Sequence, residues 1–156
     1  MKLLSKILAY AAVPCLAAAL LISFIGRLSG DKVLIKREYE KLDINDYTGM
    51  STDEMCTVYL RMVDYMKGGT DELQTEVTVF GERTEMFGER EISHMNDVRK
   101  LWFGVETAKY ILFAFTAIAA ALALYVYRRN AAAVLARCWL IGICVIAFIA
   151  AVLAVW

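Results

Sequence analysis

Three long apolar runs and one polar stretch divide the chain. Residues Ile7 to Ile25 and Tyr110 to Tyr127 carry no charged side chain, and Ala133 to Trp156 carry only Arg137. At ~1.5 Å per residue, about 20 helical residues cross a hydrocarbon core of ~30 Å, so each run is predicted to be a transmembrane helix. The stretch between the first two, Asp31 to Glu91, is too long to lack structure of its own. The predicted fold is therefore an α-helical membrane protein, with three transmembrane helices and a small α+β extracytoplasmic domain between the first and second. Its parts are an N-terminal anchor (residues 1–30), the polar domain (31–92), and a juxtamembrane motif helix with a two-span hairpin (93–156).

The best-marked element of the polar domain opens at Ser51-Thr52-Asp53-Glu54, a capping box in which Ser51 and Glu54 satisfy each other's backbone N–H groups. Met55, Val58, Tyr59, Met62, Val63 and Met66 follow on one helical face, and Gly68-Gly69 closes the helix. Methionines and tyrosines in such a pattern form a core. Next, Leu73 to Val79 alternates in the two-residue period of a half-buried strand, with Val33-Leu34-Ile35 as its expected partner. So small a domain buries little apolar surface, and it is expected to rest on the membrane helices.

The chain has 156 residues, of which 60% are hydrophobic and one is proline, which excludes a disordered chain and an ordinary soluble domain. The net charge of zero conceals a segregation. All 17 acidic residues lie between Asp31 and Glu106, whereas the flanks carry Lys2, Lys6, Arg128, Arg129 and Arg137. Basic residues beside short loops stay in the cytoplasm. This predicts a multi-pass cell-membrane protein with a cytoplasmic N-terminus, residues 31–105 extracytoplasmic, a tight inner turn at Asn130 and the C-terminus outside. A cleaved signal peptide is disfavoured, because the first run is long and no small-x-small site follows it. Pro14 within that run is either the site of a kink near Tyr10 or a tolerated membrane proline. Cys15, Cys56, Cys138 and Cys144 are scattered, with no disulfide framework or zinc spacing. No nucleotide loop or nucleic-acid-binding pattern occurs.

Candidate chemistry is concentrated in Phe87 to Trp102, which holds the only histidine. Ser93 suits an N-cap, and Val98, Leu101, Trp102 and Val105 recur at helical spacing, which predicts His94 on the first turn of a helix leading into the second span. Asp97 shares its face, with Arg90, Glu91, Arg99 and Lys100 close by. The positive end of a helix favours the neutral imidazole, and Asp97 would favour the imidazolium and orient the ring; the two effects oppose each other. A plain interfacial role, with His94 pairing Asp97 and Glu91, is the alternative. A metal site from His94, Glu91 and Asp97 lacks diagnostic spacing. Ser93 beside His94 lacks a nucleophile elbow.

The block Glu89-Arg90-Glu91, Ser93-His94-Met95, Asp97-Val98, Leu101-Trp102 leading into a span resembles the lipoprotein intramolecular transacylase family of Gram-positive bacteria. So do the earlier helix end, Val58-Tyr59, Asp64-Tyr65-Met66 and Gly68, and the single anchor before the polar domain. The resemblance implies an enzyme that moves the sn-2 acyl chain of a diacylglyceryl-cysteine lipoprotein onto that cysteine's own α-amine, leaving a lyso form. His94 matches one of the family's two catalytic histidines. The other is expected in an outer loop between a third and a fourth span, and this sequence ends at Trp156. The expectation is a truncated or shortened relative lacking the fourth span. A helix partner could replace that span, packing on the small-residue pairs Ala147/Ala151 and Ala150/Ala154.

The reaction's demands can be set against the residues themselves. An α-amine with a pKa near ~8 must lose a proton before it attacks an ester, and a histidine with a reference value of ~6.5 can take it. His94 is therefore the candidate base and Asp97 its companion. For the developing oxyanion, Arg90, Arg99 and the backbone N–H groups behind Ser93 are the candidate donors. Trp102 and Trp156 are expected at the outer interface, where the ester of a diacyl lipid lies. The partners are a diacylglyceryl-modified lipoprotein and membrane lipid, with no cofactor or metal. The rival reading is a non-enzymatic membrane protein whose ectodomain binds a partner.

Overall fold

A computed structural model describes residues 2–42 and 45–155, and the packing of the chain falls into two units. The first comprises residues 1–23 and 107–156, and the second residues 24–106. Six helices and one hairpin make up the described chain: α1 (Lys2–Leu28), α2 (Lys32–Leu42), the single turn α3 (Asn45–Thr48), α4 (Thr52–Lys67), β1 (Glu76–Val79), β2 (Glu82–Glu85), α5 (Glu89–Tyr127) and α6 (Ala131–Val155).

The described residues of the first unit are helical throughout. Pro14 sits inside α1 without ending it. The α1 helix turns small side chains inward, burying Ala9, Ala12 and Ala19, and buried Ala119 and Ala123 of α5 do the same. This lets backbones approach, so that the Thr116 hydroxyl reaches the Leu112 carbonyl at 2.8 Å and the Ala12 carbonyl at 3.4 Å. In contrast, Leu20, Leu21, Ile111, Ile118 and Leu124 are exposed. Among the described residues, two helices are long and apolar enough to cross a membrane, over Leu3–Leu28 and Glu89–Tyr127, and only 22% and 11% of their most apolar windows are buried. Outward apolar faces on this scale suit lipid and not water. The third expected span coincides with α6, whose described apolar run, Ala131–Cys144, is shorter than a crossing. Between α5 and α6 the chain turns through Arg128–Asn130, where Arg128 takes a φ of 44°. Trp156, expected at the outer interface, lies outside the described residues, as do the side chains of Ala150, Ala151 and Ala154.

The second unit is built on α4. Both halves of its capping box are present, and Gly68 closes it at φ 81°, in the left-handed region open to glycine. Val33-Leu34-Ile35 does not form a strand. These residues lie in α2, because the Asp31 carboxylate accepts the N–H groups of Val33 (2.9 Å) and Leu34 (3.1 Å) and so caps a helix. The partner of β1 is instead β2, paired antiparallel from Glu76 opposite Glu85 to Val79 opposite Glu82. Phe80 and Gly81, at φ 50° and 88°, make the tight turn between them. Phe80 tolerates this conformation because its N–H donates to the Gly49 carbonyl (2.9 Å) and its ring lies where a Gly49 side chain would be. Met50, Met55, Val58, Tyr65, Leu73, Val77, Phe87 and Met95 form the core, drawing α4, β1 and the start of α5 together.

Glu54 links the helix cap to the hairpin, since its second carboxylate oxygen accepts the Thr78 N–H at 3.1 Å. Hydrogen bonds from Ser51, then Thr78, hold its carboxyl below the ordinary 4.5, and the Lys36 ammonium at 2.8 Å holds Asp53 below 3.8. Groups depressed on folding add stability above their unfolded values and lose it as pH falls through the folded ones. The domain is thus expected to keep constant protease resistance down to about pH 5 and to lose it progressively below pH 4.5. Glu54→Gln should flatten that decline.

Candidate active site

The motif helix begins earlier than Ser93. Gly88 is its effective cap: its carbonyl accepts the N–H groups of Glu91 and Ile92, both at 3.0 Å, and its own N–H donates to the Glu91 carboxylate at 2.8 Å. Glu89 and Glu91 place two carboxylates in the first turn, where the helix dipole favours them. Ser93 is consequently an exposed residue in the body of α5, and the backbone N–H groups behind it serve the helix ladder instead of standing free. His94 is on the second turn.

What fixes the entry of α5 is Gln74. Its side-chain amide donates to the Phe87 carbonyl at 2.6 Å and to the Glu85 carboxylate at 3.1 Å, while its oxygen accepts the Phe87 N–H at 3.1 Å. Phe87 is thereby held on both sides of its backbone just before the cap. Nothing in the apolar-polar alternation marked Gln74, because its role depends on a strand pairing that sequence reading did not foresee. Gln74→Ala leaves those Phe87 groups without their partner, a cost of about 1–3 kcal/mol. The expected readout is a lower melting temperature of the detergent-purified chain by several degrees.

His94 lines a recess of about 470 Å³ with Arg90, Glu91, Met95, Met62 and Phe87. Phe87 and Met95 are buried and Met62 partly so, giving an apolar floor, while Arg90, Glu91 and His94 are exposed at the rim. Arg90 and His94 are four residues apart and Glu91 and His94 three, so successive helical turns carry all three onto one side. Asp97 is differently engaged: its carboxylate accepts from Lys100 at 3.0 Å, both side chains being exposed. His94 has no hydrogen bond to Asp97 among the described residues. The carboxylate sharing the recess with the imidazole is Glu91. No three His, Cys, Asp or Glu side chains among the described residues converge as a metal site would require.

Arg99 is held elsewhere too. Its guanidinium donates to Asp71 at 2.7 Å and lies 4.8 Å from the Tyr65 ring centre and 5.7 Å from that of Phe103. With 18% of its side chain exposed, Arg99 fastens α5 to the loop that follows α4. Phe103 packs where a Gly68 side chain would stand, which explains why that cap must be glycine on steric grounds as well. Trp102, half-buried, packs edge-on against Gly26 near the end of α1, whose carbonyl also accepts the Lys67 ammonium. Of the six predicted site residues, His94 and Arg90 share the recess, while Asp97, Arg99 and Trp102 are occupied with neighbours and Ser93 faces outward.

This is the build of a mostly helical protein with two lipid-suited helices and a small α+β unit that presents a histidine over an apolar recess. Over residues 10–156, nearly its whole length, the chain matches the family described as Lipoprotein intramolecular transacylase Lit, and it belongs to that family. The family is membrane-associated and transacylates lipoproteins. No curated protein and no solved structure matches the chain.

Proposed function

We propose that this chain transfers the sn-2 acyl chain of a diacylglyceryl-cysteine lipoprotein to the α-amine of the same cysteine at the outer face of the cell membrane. The observation that carries the reading is the His94 recess: a base and a guanidinium at the rim of an apolar floor, in a chain of the transacylase family. An acyl ester needs both surroundings at once. Its chain settles on Phe87, Met62 and Met95, and its carbonyl and the incoming amine stay at the polar rim.

In this reading an imidazole nitrogen of His94 removes a proton from the α-amine as nitrogen attacks the ester carbonyl carbon. The tetrahedral oxyanion faces Arg90, which has no ion-pair partner among the described residues, whereas Arg99 is already committed to Asp71. Collapse breaks the bond to the sn-2 oxygen, and the imidazolium returns the proton there, leaving an amide and a free hydroxyl. Glu91, on the same side of the helix, favours the transient imidazolium. Asp97, paired with Lys100, acts at one remove. The charge segregation supports a cytoplasmic N-terminus and residues 31–105 outside, with α6 as the third span.

Because the transfer is internal, the intact mass of the lipopeptide does not change. Fragmentation is therefore the readout, comparing the N-terminal peptide of an abundant lipoprotein from cells with and without this chain. The expected result is an N-acyl fragment with a monoacylglyceryl group on sulfur. A diacylglyceryl fragment with a free amine in both samples, with the chain present in the membrane, would support the partner-binding reading instead.

A further inference from the structure

The helical unit contains a second recess, of about 660 Å³, that the proposed reaction does not use. Lys6 and Tyr10 of α1, Tyr127 at the end of α5, and Arg137, Leu140 and Ile141 of α6 line it. Two cations thus share one cavity with apolar walls and two phenol groups. Neither Lys6 nor Arg137 has an ion pair among the described residues. The unit, residues 1–23 and 107–156, holds no Asp or Glu side chain, because all 17 fall between Asp31 and Glu106.

Lys6 and Arg137 are exposed beside an apolar wall, and two like charges there repel each other and attract a counter-charge. A bound anion would supply it. A diffusible anion would satisfy the cations but leave the Leu140 and Ile141 wall without apolar contact, whereas a phospholipid brings a phosphate and acyl chains together. We infer that this recess binds an anionic phospholipid, with its phosphodiester bridging Lys6 and Arg137 and its acyl chain along the α6 wall. The Tyr10 hydroxyl is a further donor to the headgroup. Lys2, Arg128 and Arg129 lie close in sequence to these elements, so the charge rule assigns the lipid to the cytoplasmic leaflet. That assignment rests on the orientation proposed above; the binding itself does not.

The test is native mass spectrometry of the full-length chain released from micelles containing equal amounts of phosphatidylglycerol and phosphatidylcholine. One phosphatidylglycerol is expected to be retained with a preference of about tenfold or more. Lys6→Gln and Arg137→Gln should each abolish the preference, while Lys6→Arg and Arg137→Lys keep it. Lys109→Gln, which removes a cation lying over the Tyr110 ring at 4.8 Å, should leave it unchanged. Equal retention of the two lipids would overturn the inference. So would a Lys109→Gln loss as large as the others, or displacement of the lipid by an equal concentration of inorganic phosphate. The lipid is read directly, so an absence of acyl transfer does not affect this result, and Lys6→Gln is expected to retain lipoprotein N-acylation.

Discussion

His94→Ala is expected to cut formation of the N-acyl lyso product sharply while leaving the chain folded in the membrane. His94 is exposed and makes no hydrogen bond to a described residue, so its loss opens no buried cavity and strands no buried polar group. The catalytic cost is a different matter, because it is the sole imidazole in the sequence and, in the proposed reaction, the group that takes the amine's proton. A positioned general base contributes roughly 10²–10⁴-fold, and the rate of product formation should fall by that factor. Asp97→Asn provides the contrast. With its carboxylate on Lys100, the account predicts a change of only a few-fold, whereas Glu91→Gln should slow the reaction more. A time course of fragment ratios for the three variants checks the order. Equal losses for Asp97→Asn and His94→Ala would show that the aspartate moves onto the ring when substrate binds.

Phe87→Ala is expected to have the largest effect on stability. Phe87 is 8% exposed, belongs to the core with Met55, Val58 and Tyr65, and also forms the floor of the recess under His94. Truncating a buried phenyl ring costs about 3–5 kcal/mol, through lost burial and the cavity left behind. In a domain this small, that is a large part of the whole. The predicted result is early cleavage of the residues 24–106 unit by a protease added to purified protein, together with loss of acyl transfer. Phe87→Leu should restore most of the protease resistance but less of the activity, because the floor is reshaped while the core stays filled. Wild-type protease resistance in Phe87→Ala would remove Phe87 from the core.

The parts of the fold that could be read from the sequence are those governed by local rules. Ser51 and Glu54 cap α4 across three residues, Gly68 ends it, and the methionines between them recur at helical spacing. The apolar runs of α1 and α5 are visible for the same reason. The errors arose where a side chain acts at a distance or where two local signals compete. Val33-Leu34-Ile35 has the composition of a strand, but Asp31 two residues earlier caps a helix. Strand β2, Glu82-Arg83-Thr84-Glu85, has no apolar alternation and is exposed at every position, so no periodicity marks it. Ser93 is a good cap residue, yet Gly88 and Glu91 supply a cap five residues earlier.

The candidate site was legible in its centre and less so in its surroundings. His94 stood out as the single imidazole within a charged block, and Arg90 is near it through helical spacing alone. Its apolar floor comes from Met62 of α4, Phe87 and Met95, two of them far from His94 in helical phase or sequence. Gln74 is thirteen residues from the backbone it holds. Asp97 and Arg99 have the right spacing for the site, and the competing partners Lys100 and Asp71 take them from it.

The central claim is that this chain moves an acyl group within one lipoprotein molecule, from the sn-2 oxygen to the α-amine. It is tested most directly with the purified chain in vesicles and a synthetic diacylglyceryl-cysteine peptide whose sn-2 chain alone is isotopically labelled. The account predicts an unchanged intact mass, disappearance of the free amine, and fragments that place the labelled chain on nitrogen. Wild-type chain that leaves the amine free and the labelled ester in place, in vesicles where it is folded and inserted, would contradict it.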